Sequence, residues 1–343
     1  MGKLTIRCVL GAALLFIASL LILSGIAQAA EACSNRGSLD PMFCDEDRDL
    51  VADPPKDSAK RVSPDTLVFA YAPVEDPAVY ATPFSDLLRH VEKVTGKRTQ
   101  YFGLQNYAAQ IEAMRSGRLH ISAFATGATV YAVNLAGAVP FAVLGDDKGP
   151  FGYHLVVITQ GSNAKINSIA DLKGRRVAHV SPNSNSGHQA PVYFFSRLGV
   201  VPGKDYQIGF TGKHDNSILG VVNGDYDAAA VANTVLERMV NRGVVKQADY
   251  KIIFTSPVFP VAGYSHAHNL DGKLAEKIKE AFFTFKVQGT SLAKEWPKAT
   301  RYVPITYKKD WEAVFGILEA NGVAFTKDSP EYQQLTKPPR AGE

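Results

Sequence analysis

Ser184, Asn185, Ser186 and Gly187 follow one another in PNSNSG, and His214 stands about thirty residues further on in GKHD. Hydroxyls, a carboxamide and an imidazole at the starts of two helices have the chemistry of an oxyanion cradle. The first turn of a helix carries unpaired N–H groups and a positive partial charge, so these side chains and their backbone amides suit a tetrahedral anion. Ser and Asn also cap helices for purely local reasons, and a lone His is more often packed than functional. Asp215 reads as a helix-start carboxylate that complements the dipole, because a carboxylate aimed at an anion would repel it.

The elements that must position these residues alternate. From Thr66 onward LVFAYA, TPFSDLLRHVEKVTG, NYAAQIEAMRSG and HISAFAT give strand, helix, helix and strand. A second alternation runs from Asn163 through RRVAHV, YQIGFT, NSILGVVNG, DAAAVA, TVLERMVNR and KIIFTS. Strands alternating with helices predict an α/β fold with largely parallel sheets. Thr82 is the expected cap of the first helix, with Pro83 at its first position, Phe84, Leu87, Leu88, Val91 and Val94 on its buried face and Gly96 at its end. Because Pro191 falls in or near the first turn, the helix after Ser184–Ser186 starts no later than Gly187 or His188.

PNSNSG, GKHD and NGDYDAA, preceded by NYAAQIEAMRSGRLHISAF and GPFGYHLVVI in the same order, resemble the phosphate/phosphite/phosphonate-binding proteins of ABC importers over most of the chain. The resemblance implies a two-lobed type II periplasmic binding protein fold with a ligand cleft between the lobes. The chain would then comprise a signal peptide (1–29), an N-terminal extension (30–61), lobe 1 (62–158), lobe 2 (159–260), a return to lobe 1 (261–330) and a flexible tail (331–343). The crossings would lie near Val157–Gly161 and Pro257–Gly263. It further implies that Tyr107 and Tyr153 supply phenol hydroxyls from the first lobe, that Thr126 lies near the cleft, and that Ser184, Asn185, Ser186 and His214 hold the anion. His188, Tyr264, His266 and His268 are candidates for its opening. Asn185 stands where relatives often have Thr. Relatives that bind aminoalkylphosphonates place acidic residues where this chain has Asn233-Thr234 and Val261-Ala262-Gly263, so a small oxyanion such as phosphite or methylphosphonate is expected in preference to an amine-bearing one.

The 343 residues begin with Lys3, Arg7, an apolar run from Cys8 to Leu23 and the small residues Ala27-Gln28-Ala29, which read as a cleaved secretory signal and imply a periplasmic protein. About 310 remaining residues suffice for two medium domains. Cys33 and Cys44 are the cysteines left after cleavage, and an oxidising compartment would pair them, contributing roughly 3 kcal/mol. Asp45, Asp47, Asp49 and Asp53 in DEDRDLVAD have the alternating spacing of a calcium loop. The turn Gly and the twelfth-position Glu are missing, so an EF-hand is excluded, and the choice is between a structural calcium site and a solvated acidic linker.

The net charge of +4 comes from scattered basic residues, which argues against nucleic acid, and no GxxxxGK[ST] loop is present to bind ATP. The expected protein is a monomeric solute-binding component without catalysis or cofactor that delivers a small phosphorus oxyanion to an ABC permease in the inner membrane. The alternatives are a ligand-sensing subunit for a membrane receptor and a secreted hydrolase with Ser184 or Ser186 as nucleophile and His214 as base. The hydrolase lacks a GxSxG elbow and an orienting acid.

Overall fold

The computed structural model describes residues 33–324; the signal-peptide reading of residues 1–29 and the tail reading of residues 331–343 lie outside the described residues. The strands of the first half are β1 (Thr66–Tyr71), β2 (Arg98–Tyr101), β3 (Ile121–Phe124), β4 (Ala138–Asp146), β5 (Gly149–Pro150), β6 (Gly152–Tyr153) and β7 (Leu155–Gln160). Those of the second half are β8 (Arg176–His179), β9 (Gln207–Phe210), β10 (Ala228–Ala232), β11 (Tyr250–Thr255), β12 (Phe259–Pro260), β13 (Gly263–Ala267) and β14 (Arg301–Pro304). They form two mixed sheets, ordered β14-β4-β13-β3-β1-β2 with β5 against β4, and β11-β7-β10-β8-β9. Each sheet with its flanking helices is one lobe of an α/β fold.

Parallel pairs occur where a helix carries the chain back, as between β1 and β3 or β8 and β9. The strands that arrive from the other lobe, β7 and β13, run antiparallel to their neighbours. The chain leaves the first sheet after β5 and returns to it at β13, and on the way out and back the short strands β6 and β12 pair as a separate ribbon, with Phe259 opposite Tyr153 and Pro260 opposite Gly152. The outward crossing therefore precedes the expected Val157–Gly161. Leu155, Val156, Val157 and Ile158 are all buried, and β7 lies between β11 and β10. A continuous apolar run of this kind fills a central strand, whereas a connector would expose it.

The helix expected from Thr82 begins at Ser85 instead and ends at Gly96, whose φ of 71° only glycine adopts without strain. Its start is displaced because a 3₁₀ turn, Pro77–Tyr80, capped by Asp76, precedes it, and the Phe84 N–H donates back to the Tyr80 carbonyl. Phe84, Leu87, Leu88 and Val91 are buried as their spacing predicts. Cys33 and Cys44 are joined in a disulfide. The loop it closes is pinned to the first lobe by an Asp40–Arg115 ion pair at 3.1 Å and by Phe43 packed edge-on against His268.

Candidate functional site

Four helices begin in or beside the cleft between the sheets: Tyr107–Arg115, Thr126–Ala136, the turn starting at Asn185, and His214–Val222. Each starts just beyond a strand or loop on the cleft side, so their first residues meet where their positive ends do.

The turn at Asn185 is wide. Residues Asn185–Gln189 close π-type bonds, with the Gln189 N–H reaching the Ser184 carbonyl at 3.0 Å, before the α-helix Ala190–Arg197 takes over. Pro191 explains part of this geometry: it has no N–H for the Gly187 carbonyl, which accepts from the Val180 N–H at 3.1 Å instead. A side chain at Gly187 would place its Cβ 2.4 Å from the Val180 Cβ, so the turn can pack on β8's continuation only with glycine. Ser184 Oγ accepts from the Gly187 N–H at 3.0 Å, which leaves the hydroxyl proton to donate elsewhere.

His214 is fixed as a donor. Its Nδ1 accepts from the Ala232 N–H at 3.1 Å, so in the neutral ring the proton sits on Nε2. Burial, and then the Arg238 charge, hold its pKa down to about 3, so the ring is neutral near pH 7. The same contact argues against the hydrolase reading, because a backbone N–H rather than a carboxylate holds Nδ1, and the proton on Nε2 leaves the ring no basic nitrogen to offer a serine.

Tyr153 lies on β6, at the crossing. Its Oη accepts from Asn185 Nδ2 at 3.0 Å, and Thr126 and Ser186 are its other polar neighbours. Burial raises its pKa, which keeps the phenol protonated and able to donate. One of the two Asn185 amide N–H groups thus goes to Tyr153, while its Oδ1 is buried without a partner. Thr126 Oγ1 donates to the Pro260 carbonyl at 2.8 Å. Thr126, Tyr153, Ser184, Asn185, Ser186 and His214 all line one cavity of ≈ 820 Å³. Tyr107 stands behind that wall, its buried hydroxyl making no hydrogen bond and Ser184 among its polar neighbours. Of the candidates for the opening, Tyr264 lines the cavity. His188 instead pairs with His179, Nδ1 to Nδ1 at 2.9 Å, and His266 packs against Phe141.

The lobes touch around this point. The His214 N–H donates to the Val74 carbonyl at 2.9 Å, and the Asp76 N–H to Asp215 Oδ2 at 3.1 Å. A Cβ on Gly127 would fall 2.4 Å from the Asn183 carbonyl oxygen, so backbone meets backbone there. Sequence reasoning missed the strongest link. Glu75, from the loop after β1, accepts from Arg238 Nε at 3.1 Å and Nη2 at 2.9 Å, and also from Arg242 and the Tyr80 hydroxyl. Partners 163 residues apart leave no spacing signal. Nor did the sequence reveal Trp296, or the carboxylates Glu237 and Glu295, as parts of the cavity wall.

In the acidic loop, Asp45, Asp47 and Asp49 bring one oxygen each within 4.8 Å of one another, a surface cluster capable of chelating a divalent ion. Asp53 turns its carboxylate to the Glu46 N–H at 2.7 Å and stands apart. Arg48 and Leu50, with φ of 63° and 74°, take the left-handed positions that glycine usually fills. Burial, and then repulsion within the cluster, raise the pKa values of Asp45 and Asp49.

Residues 69–311, more than two thirds of the chain, match the sequence profile of ABC transporter, phosphonate, periplasmic substrate-binding proteins. The phosphate-import protein PhnD of Mycolicibacterium smegmatis is 28% identical over 241 residues, covering 67% of this chain and 75% of its own. The probable ABC transporter phosphite-binding protein PhnD1 of Prochlorococcus marinus is 26% identical over 206 residues, covering 57% and 68%. The solved structure of Prochlorococcus marinus PhnD1 with methylphosphonate superposes with a TM-score of 0.67 at 20% identity, covering 76% of this chain and 99% of that one. A binding-protein component of a Pseudomonas aeruginosa ABC phosphonate transporter gives the same TM-score and identity over 79% and 94%. The fold is thus the type II periplasmic binding protein fold, and the chain belongs to the periplasmic substrate-binding proteins of phosphonate ABC transporters.

Proposed function

We propose that the protein captures a phosphorus oxyanion, such as phosphite, methylphosphonate or a similar phosphonate, and delivers it to a permease in the inner membrane. Membership of a non-catalytic binding family makes it the solute-binding component of an ABC importer. The observation that carries the ligand assignment is the convergence of helix starts bearing neutral donors, with Ser184, Ser186, Tyr153 and His214 around one end of the cavity and Tyr107 behind them. Neutral hydroxyls and an imidazole N–H can encircle a dianion while the helix dipoles supply the favourable potential, and no proton need be gained or lost on binding. Closure pivots at the β6–β12 pair, which joins the lobes where Tyr153 itself sits.

Residues 1–29 act in this reading as a cleaved export signal, and the mature protein works in the periplasm as a monomer. The acidic loop is a calcium site, which calorimetric titration of Ca²⁺ into chelator-treated protein tests; absence of heat leaves it a solvated linker. The ligand assignment is tested by titrating phosphite, methylphosphonate, phosphate and sulfate into the mature protein. Saturable binding of a phosphorus anion is expected, and binding of sulfate alone, or of none, overturns the assignment.

A further inference from the structure

The cavity is much larger than the anion its cradle takes. A tetrahedral oxyanion displaces about 60–90 Å³, two or three waters at ~30 Å³ each, against a cavity volume of ≈ 820 Å³. Further closing of the lobes does not account for the difference, since the Val74–His214 and Glu75–Arg238 bonds and the Gly127–Asn183 approach are already made.

Beyond the cradle the wall becomes apolar and aromatic, with Tyr71, Leu144, Phe151, Tyr264 and Trp296 facing Val240 of the second lobe. The Trp296 ring is held by Tyr80, stacked at 6.1 Å, and by Tyr71, edge-on at 5.4 Å. Two charges of the wall are already paired from behind, Arg238 with Glu75 at 2.9 Å and Glu295 with Arg242 at 3.6 Å, while Glu237 and Lys298 are exposed to solvent. Against the aromatic wall a charged substituent would lose hydration beside charges that are already paired, whereas an uncharged one would bury apolar area.

Resting on the oxyanion reading, we propose that the physiological ligand is a phosphonate whose carbon substituent is uncharged and about the size of a phenyl ring, seated against Trp296 and Tyr71. The phosphonate head occupies the cradle, and the substituent fills the space that phosphite leaves to water.

The test is calorimetry on the mature chain with phosphite, methylphosphonate, benzylphosphonate, 2-aminoethylphosphonate and phosphonoacetate. Benzylphosphonate is expected to bind at least about tenfold tighter than methylphosphonate, and that ratio should fall toward one in Trp296→Leu. Equal or tighter binding of methylphosphonate overturns the proposal, as does a preference for the ammonium-bearing or carboxylate-bearing probe. If phosphite and methylphosphonate bind and the larger probe gains nothing, only this inference fails; if no phosphorus anion binds, the oxyanion reading fails with it. The wild-type ratio decides the matter even if the variant does not fold.

Discussion

A single backbone hydrogen bond decides what His214 can do. With Nδ1 accepting from the Ala232 N–H and the ring neutral, Nε2–H remains as a donor of one orientation. His214→Ala removes that donor and leaves the Ala232 N–H unpaired, so affinity for the bound anion should fall by about 10–100-fold, the worth of a hydrogen bond to a charged group. Calorimetry on the variant checks this, and unchanged affinity would place the imidazole outside the anion's reach. That Asn185, Ser186 and His214 stand in the first turns of helices was legible in the sequence because capping chemistry is local and needs no tertiary information, whereas Thr126 came only from the family resemblance. Glu75, Arg238 and Trp296 were not legible, because their meaning comes from pairing across lobes and no periodicity or short motif encodes it.

Among the elements, the two helix starts that face each other across the cleft matter most. Gly127, in the first turn of Thr126–Ala136, has ordinary helical backbone in its own lobe, and the atoms nearest an added Cβ belong to the Asn183–Asn185 loop of the other. Gly127→Ala should therefore leave each lobe intact yet oppose their meeting. Ligand affinity is expected to drop at least about tenfold, from an overpacking cost of 1–3 kcal/mol, with the unliganded melting temperature within a few degrees of wild type. A matching loss of melting temperature would show instead that the contact is part of the folded core in every state. The same elements explain where the sequence reading drifted. The expected crossing at Val157–Gly161 treated β7 as a boundary, yet its unbroken apolar run already belonged to a central strand. Capping rules favour a helix start at Thr82, but the Asp76-capped turn ahead of it takes over the entry.

At the scale of the whole molecule, charge is held in check by burial. His179, His214 and His266 are buried and His188 and His268 half-buried, and desolvation pushes all five pKa values down, to about 3 for His214, to about 4 for His188, His266 and His268, and well below the usual value for His179. Each is neutral in the folded state at a pH where the unfolded chain has already taken up a proton. Stability from these groups is complete above about pH 6.5 and is lost as pH falls, by up to ~1.4 kcal/mol per pH unit for each. Asp45, Asp49 and Asp215, with raised pKa values, act in the opposite sense at lower pH. A melting temperature that declines from pH 6.5 to 5 is the expected result, and a flat profile over that window would contradict it.

The interlobe ion network works at the same scale, because Glu75 belongs to one lobe and Arg238 and Arg242 to the other. Glu75→Gln strands the Arg238 guanidinium in a buried wall. Breaking a buried pair from one side costs about 3–5 kcal/mol, and opening the lobes relieves that cost by returning the charge to water. The variant should therefore populate an open form, with a larger radius of gyration by small-angle scattering and an affinity lower on the order of 100-fold. Pairing it with Arg238→Met removes the stranded charge, and much of the affinity should return. If the single variant stays compact and binds as well as wild type, the network stabilises folding alone and the lobes close without it.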